Sequence, residues 1–282
     1  MGMNSPQPQI RKIIIPSAGA GTRMLPISKA IPKEMLNLAN KPVCQYLVEE
    51  AYEAGIREFI FIINPWKGII KTYFADAEGN SALETMADAR FSFIETDDRF
   101  GDGHAISLAS PYIETGESFA VTMGDLLSPP GTSFVKQLVG VFAKDGYPVI
   151  STEQVPQEHV DRYGIVSPRA SRGRVHEIAD IVEKPPVHAA ASTIAMTGKY
   201  VLTSEIFSYL KDLLAERKDG QEVRLADALK KYAREKTLLA LECEGKHIDT
   251  GNKAGLIKAQ IIFGLGDKSV QNEIKIFLQG LN

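Results

Sequence analysis

Only two cysteines occur in the 282 residues, Cys44 and Cys243, far apart and in no metal-ligand spacing. They cannot staple a fold of this size or build a zinc site, and such usage fits a reducing compartment. No apolar run approaches the roughly 20 residues that a membrane-spanning helix needs. The first nine residues are polar and proline-bearing, without the apolar core of a signal peptide. An excess of one charge is missing too: 32 basic against 35 acidic side chains leave a formal charge of −3. No global positive field exists to hold nucleic acid or an anionic membrane, so a polyanionic partner has to be gripped locally. Internal repeats, low-complexity linkers and long charge blocks are also absent. What is there, 44% hydrophobic and 24% charged residues, is the composition of a globular protein with chain enough for a sizeable core. The expectation is a soluble cytoplasmic enzyme or small-molecule binder.

The first apolar run, Ile13-Ile14-Ile15, is short and β-branched and suits a buried strand. A glycine-rich loop and proline-interrupted turns follow, then a helical pattern from Val43 to Ala54 that stops at Gly55, a natural residue for leaving a helix. Strands are predicted at Phe59–Ile63, Phe91–Ile94, Phe119–Met123 and Tyr147–Thr152, with helices at Lys67–Phe74, Gly103–Ala109 and Ser133–Lys144 between them. That alternation predicts an α/β domain, Rossmann-like, with a mixed but mainly parallel sheet flanked by helices. The second half reads as antiparallel additions at Tyr163–Ser167, Val175–Val182 and Ile194–Leu202. Helices at Ser204–Leu214 and Val223–Arg234, strands at Leu238–Glu242 and His247–Asp249, and a helical tail from Asn252 to Leu281 complete it.

Pro16-Ser17-Ala18-Gly19-Ala20-Gly21-Thr22-Arg23 directly follows the first strand. Small residues in a row let backbone N–H groups point into a cavity and form a nest for phosphate oxygens. The dinucleotide fingerprint is excluded, because Met24 stands where its third glycine belongs; a Walker A loop is excluded because no Gly-Lys-Ser/Thr closes the segment. Arg23 adds a planar, permanently charged fork beside the nest. Alone it is as readily a surface charge after a tight turn. Lys33, ten residues on in Lys29-Ala30-Ile31-Pro32-Lys33-Glu34-Met35-Leu36, changes that balance. Two lysines and an arginine around one glycine loop suit a triphosphate whose departing end needs neutralising.

The stretch A-G-A-G-T-R-M-L-P-I-S-K-A-I-P-K-E-M-L, followed by K-P-V-C-Q-Y-L-V-E-E-A, resembles the opening of the bacterial sugar-nucleotide pyrophosphorylases. The glutamate after the lysine in Lys-Glu-Met-Leu favours the uridylyl-transferring subgroup. The similarity recurs through G-D-G-H-A, M-G-D, Y-G-I-V, V-E-K-P, G-K-Y-V-L, E-V-R-L-A-D-A-L and I-D-T-G-N, covering roughly residues 10–265. The resemblance implies that UTP and glucose 1-phosphate are joined to give UDP-glucose and pyrophosphate. It implies a single unit over residues 1–282: a nucleotide-binding half at 10–152, a sugar-binding half at 153–251 and a helical tail at 252–282.

On the same basis Arg23, Lys33 and Lys184 are expected to do the catalysis. Ala18, Gly19, Gly21, Thr22, Glu34, Thr96, Gly101, Gly164 and Glu183 are expected to bind substrate. Asp125 and Asp249 would share Mg²⁺, a hard cation that takes one or two carboxylates plus phosphate oxygens. A lone aspartate after a strand is usually a cap or a turn residue; two at strand ends in matching motifs reverse that reading. His104 opens a helix beside the base pocket and is taken as structural. The family resemblance favours a homodimer or homotetramer, and the tail's apolar residues, among them Ile257, Ile261, Phe277 and Leu278, would either close the core or meet another subunit.

The sequence departs from the family pattern in places. A glutamine that reads the pyrimidine edge usually stands five residues before Gly101; here that position is Thr96, which lacks the paired donor and acceptor of an amide. Base choice is then looser or altered. Asp102 stands where leucine is common, Leu126 follows Asp125 where a polar residue is frequent, and the stretch from Tyr73 to Phe91 is short. The rivals are a thymidylyl or cytidylyl enzyme, and a non-catalytic sugar-nucleotide sensor, which has no need of both carboxylates. A glycosyltransferase with an Asp-x-Asp metal motif finds no such motif in the chain.

Overall fold

A computed structural model describes residues 9–76, 78–97 and 100–281. Strand β1 (Lys12–Pro16) shows at once why the triple isoleucine is a strand. Ile13 and Ile15 pack into one apolar cluster and Ile14 into another, on opposite faces of the sheet. Three 3-10 turns (Thr22–Met24, Ile27–Lys29, Lys33–Met35) carry the chain to a small hairpin, β2 (Asn37–Leu38) with β3 (Lys41–Pro42). Helix α1 (Val43–Glu53) buries Val43, Leu47, Val48 and Ala51, an inward stripe at helical spacing. Gly55, at φ +97°, then lets the chain turn away.

There follow β4 (Glu58–Ile63), α2 (Gly68–Ala75), α3 (Ser81–Glu84), β5 (Arg90–Glu95), α4 (Asp102–Ser107), β6 (Ser118–Thr122), β7 (Leu126–Leu127), α5 (Phe134–Asp145) and β8 (Val149–Gln154). The second half contains β9 (Gly164–Arg172), β10 (Val175–Glu183), β11 (Ile194–Thr203), α6 (Ile206–Glu216), α7 (Leu225–Glu235), β12 (Leu239–Glu242), β13 (Ile248–Asp249), α8 (Lys253–Gly266) and α9 (Gln271–Gln279).

These described residues form a nine-stranded sheet in the order β5-β4-β1-β6-β11-β8-β12-β10-β9. Its mixed α/β character is as expected, with the parallel share confined to β5-β4-β1-β6 and the β8–β12 pair. The remaining neighbours are antiparallel, because a tight turn at Gly173 (φ +60°) folds β10 back on β9 and β11 enters against both β6 and β8. The tail is helical as expected, in two helices separated between Gly266 and Gln271.

Two consequences position the site. β1 pairs in parallel with β4 on one side and β6 on the other. The loops leaving β1 and β6 therefore open side by side at the switch point of the sheet, where open α/β sheets place ligands. The second is a two-stranded ribbon, β7 against β13, in which Asp249 pairs with Leu126. Asp125, one residue before Leu126, is thereby brought beside Asp249 although 124 positions separate them in the chain. The ribbon is reinforced from Thr250, whose backbone N–H and hydroxyl both donate to the Asp125 carbonyl at 2.9 Å.

Candidate active site

The glycine loop is anchored at its root, where Ser17 N–H donates to Ile62 O at 2.7 Å. Beyond that root Gly19, Thr22 and Arg23 are exposed and Ala18 and Gly21 half-buried, so the loop presents itself to solvent at the sheet edge. Gly21 adopts φ +65°, and a Cβ there would press within 3.3 Å of Ser28 Cβ. An L side chain would be strained by conformation and crowded as well.

Charge gathers next to this loop. Lys33 Nζ donates to Asp125 Oδ2 at 2.5 Å, and the Arg23 guanidinium spans the two expected metal aspartates, 3.6 Å from Asp125 and 3.9 Å from Asp249. Burial pulls the Lys33 ammonium down, but the Asp125 and Glu34 carboxylates outweigh it and hold its pKa above the ordinary lysine value. Burial likewise pushes Asp125 up; Lys33 and Arg23 outweigh that, so it stays below the usual carboxylate range. Asp249 is fixed by the Gly251 N–H at 2.7 Å and the Asn252 amide at 2.9 Å.

Both carboxylates face one small space. A Cβ built on Gly251 would collide with Asp125 Oδ2 and lie 3.0 Å from Asp249 Oδ1 and 2.9 Å from an Arg23 nitrogen. Among the described residues no group of three or more His, Cys, Asp or Glu side chains could hold a metal ion. Two convergent carboxylates nonetheless fit Mg²⁺, which draws its remaining ligands from phosphate and water.

Glu34 is not at the ligand surface. It is fully buried beneath the loop, with both carboxylate oxygens held by Lys67 Nζ at 2.9 and 3.0 Å. The side chain expected at the substrate is thus buried here: the turn that aims Lys33 at Asp125 points its neighbour inward. Burial works against both charges, raising the Glu34 pKa and lowering that of Lys67. Lys67 itself was missed. The available signal was its place in the α2 pattern, since Lys67, Ile70 and Phe74 are the inward residues at i, i+3 and i+7.

The second group stands at the paired ends of β9 and β10, where Gly164 faces Glu183. A Cβ at Gly164 would come within 2.9 Å of Glu183 Oε2 and 3.1 Å of Met196 Sδ, so the glycine keeps that carboxylate in place. Burial raises the Glu183 pKa against the opposing pull of Lys184 and Arg224. Lys184 has φ +49°, a conformation few non-glycine residues adopt, and its N–H donates to Tyr163 O at 2.9 Å. Its ammonium is largely exposed, 3.8 Å from Glu183. Strain at a strand end that presents one lysine to solvent is typical of a functional position.

Thr96 lies at the same sheet edge as the glycine loop, just past β5, and its N–H donates to Ile63 O at 2.9 Å. Gly101 and Gly103 have a packing reason: a Cβ on either would run into the backbone of Val223 and Arg224. Asp102 has one too, accepting from Leu225 N–H at 3.0 Å at the start of α7. His104 is buried within α4, in edge contact with the Phe100 ring.

The family model described as nucleotidyl transferase matches residues 12–262. A UTP–glucose-1-phosphate uridylyltransferase of Bacillus subtilis is 37% identical, with 97% of each chain covered, and one of Staphylococcus epidermidis is 35% identical over 97% of this chain and 99% of its own. Among solved structures, a UDP-glucose pyrophosphorylase complexed with UDP-glucose superposes with TM-score 0.81 at 34% identity, covering 89% of this chain and 97% of its own. A UTP-bound enzyme of the same kind from Acinetobacter baumannii superposes with TM-score 0.84 at 30% identity, covering 97% of this chain and 100% of its own. With the family model matching residues 12–262 and full-length relatives at 35% and 37% identity over 97% of the chain, the chain belongs to the nucleotidyl transferase family.

Proposed function

We propose that this chain transfers the uridylyl group of UTP to glucose 1-phosphate, giving UDP-glucose and pyrophosphate. The observation that carries the reading is the convergence of Arg23, Lys33, Asp125 and Asp249 beside the glycine loop. The names of the relatives, and the UTP and UDP-glucose bound in two solved neighbours, support the choice of substrates.

The acceptor phosphate is already an oxyanion, so no protein nucleophile is required. One of its oxygens attacks the α-phosphorus, the bond from that phosphorus to the bridging oxygen of the β-phosphate breaks opposite it, and pyrophosphate departs. Backbone N–H groups from Ala18 to Thr22 cradle the phosphates, while Arg23 and Lys33 neutralise the triphosphate and its leaving end. Lys184 orients the attacking phosphate and Glu183 accepts hydrogen bonds from sugar hydroxyls. Asp125 and Asp249 would hold Mg²⁺, which would supply the positive charge that lets two polyanions meet.

Gly101 belongs to this reading as part of the nucleotide pocket wall. Thr96 is the one observation favouring a different base, because a threonine cannot present an amide's paired donor and acceptor; the second reading is a thymidylyl or cytidylyl enzyme with the same chemistry. The reading includes one nucleotidyltransferase unit over residues 1–282, a cytoplasmic setting, and self-association through the apolar tail. Asp125→Ala and Lys184→Ala test it: each is expected to keep the native circular dichroism spectrum and lose turnover by about 100-fold or more. Full activity in either would remove that residue from the site.

A further inference from the structure

Lys67 and Glu34 form an ion pair in which the side chains are 1% and 0% exposed. Burying two charges costs so much solvation that such pairs seldom add net stability over well-packed apolar residues. This pair is better understood by what rests on it. Lys67 Nζ also donates to Ser17 O at 2.6 Å, at the root of the glycine loop. Glu34 lies in the same 3-10 turn as Lys33, whose ammonium reaches Asp125. Gly124, the residue before Asp125, packs so closely that a Cβ there would be 2.9 Å from Ser17 Oγ and 3.4 Å from Glu34 Cγ. Three segments with functional residues, the loop after β1, the Lys33 turn and the loop after β6, therefore meet over one buried pair.

We propose that Lys67 is a positioning residue for nucleotidyl transfer: by tying Glu34 to the Ser17 carbonyl it sets the spacing between the phosphate nest, Lys33 and Asp125. This rests on the nucleotidyl-transfer reading and deepens it. Lys67 touches no reacting atom. It acts through the alignment of groups that do, where a shift of about 1 Å is enough to lower the rate on the order of 100-fold.

The test separates alignment from stability in the full-length protein, with UTP, glucose 1-phosphate and Mg²⁺ as reactants. Lys67→Met alone strands a buried carboxylate and is expected to melt at a lower temperature, so the informative variant is Glu34→Leu with Lys67→Met, which replaces the pair by apolar residues of similar volume. It is expected to fold and to melt only modestly below the native protein, because the Ser17 carbonyl loses its donor, with kcat lowered 10-fold or more and KM for glucose 1-phosphate within about twofold of native. Native kcat in that folded double variant would overturn the proposal and leave the pair a packing feature.

Glu34→Asp covers the case in which the double variant does not fold, since it keeps both charges and shortens the tie by one methylene. A kcat reduced several-fold at an unchanged melting temperature supports the alignment role, and an unchanged kcat refutes it. Failure of the underlying reading looks different: the native protein itself would then release no pyrophosphate.

Discussion

Gly251 leaves no room for a side chain, and the reason is electrostatic as much as steric. An alanine there would drive its methyl into the Asp125 carboxylate and against Asp249 and Arg23. Gly251→Ala is therefore expected to cost about 1–3 kcal/mol of stability by overpacking, and to lower turnover far more, on the order of 100-fold, by splaying the carboxylates. Melting curves and steady-state kinetics on one preparation check both; native turnover in the variant would show that the two aspartates do not act together. Gly19 is the contrast, since nothing lies within 4 Å of a Cβ placed on it. At this scale the sequence was legible for identity and less so for direction. The motif singled out Arg23, Lys33, Asp125 and Asp249, but it could not say that Glu34 turns inward, because adjacent residues in a 3-10 turn point to different sides.

Among the elements, β10 ends in the residues that carry the clearest pH prediction. Burial holds the Glu183 pKa above its ordinary 4.5, outweighing Lys184 and Arg224. As pH falls through that raised value the carboxylate gains a proton and loses its ability to accept from two hydroxyls. The acid limb of kcat/KM for the sugar phosphate should accordingly fall at higher pH than an ordinary glutamate gives, and Glu183→Gln should lower kcat/KM and abolish that limb. A limb that persists unchanged in the variant would assign it to another group.

The tail makes the other prediction at this scale. No α9 residue is buried, and Ile276 and Phe277 are 70% and 65% exposed. Self-association through the tail, as proposed, would cover these side chains. Light scattering is expected to give a multiple of 30.9 kDa, reduced towards one chain by Phe277→Asp; a native protein of monomer mass would contradict this. β1, α1, β4 and α5 fell within a residue or two of their predicted bounds, because the two strands are short apolar runs buried on both faces and the two helices carry period 3.6 in their apolar residues. The β7–β13 ribbon was only half visible: a two-residue strand has no period, and its partner lies over a hundred positions away.

Over the whole molecule, the sheet's switch point and the ribbon bring together residues drawn from the first, middle and last parts of the chain. The class of fold was legible because strands alternate with helices through the first half. The antiparallel additions of the second half were legible too, but the insertion of β11 between β6 and β8 was not, since no local pattern records it. Base selection is the property that belongs most to the whole arrangement, and Thr96 makes it the sharpest point of the account. The most direct measurement is pyrophosphate release with Mg²⁺ and glucose 1-phosphate, offering UTP, dTTP, CTP, GTP and ATP in parallel. Release dominated by UTP, with UDP-glucose formed in equal amount, is the expected result. Release from none of the five, with glucose 1-phosphate or any other sugar 1-phosphate, would contradict it.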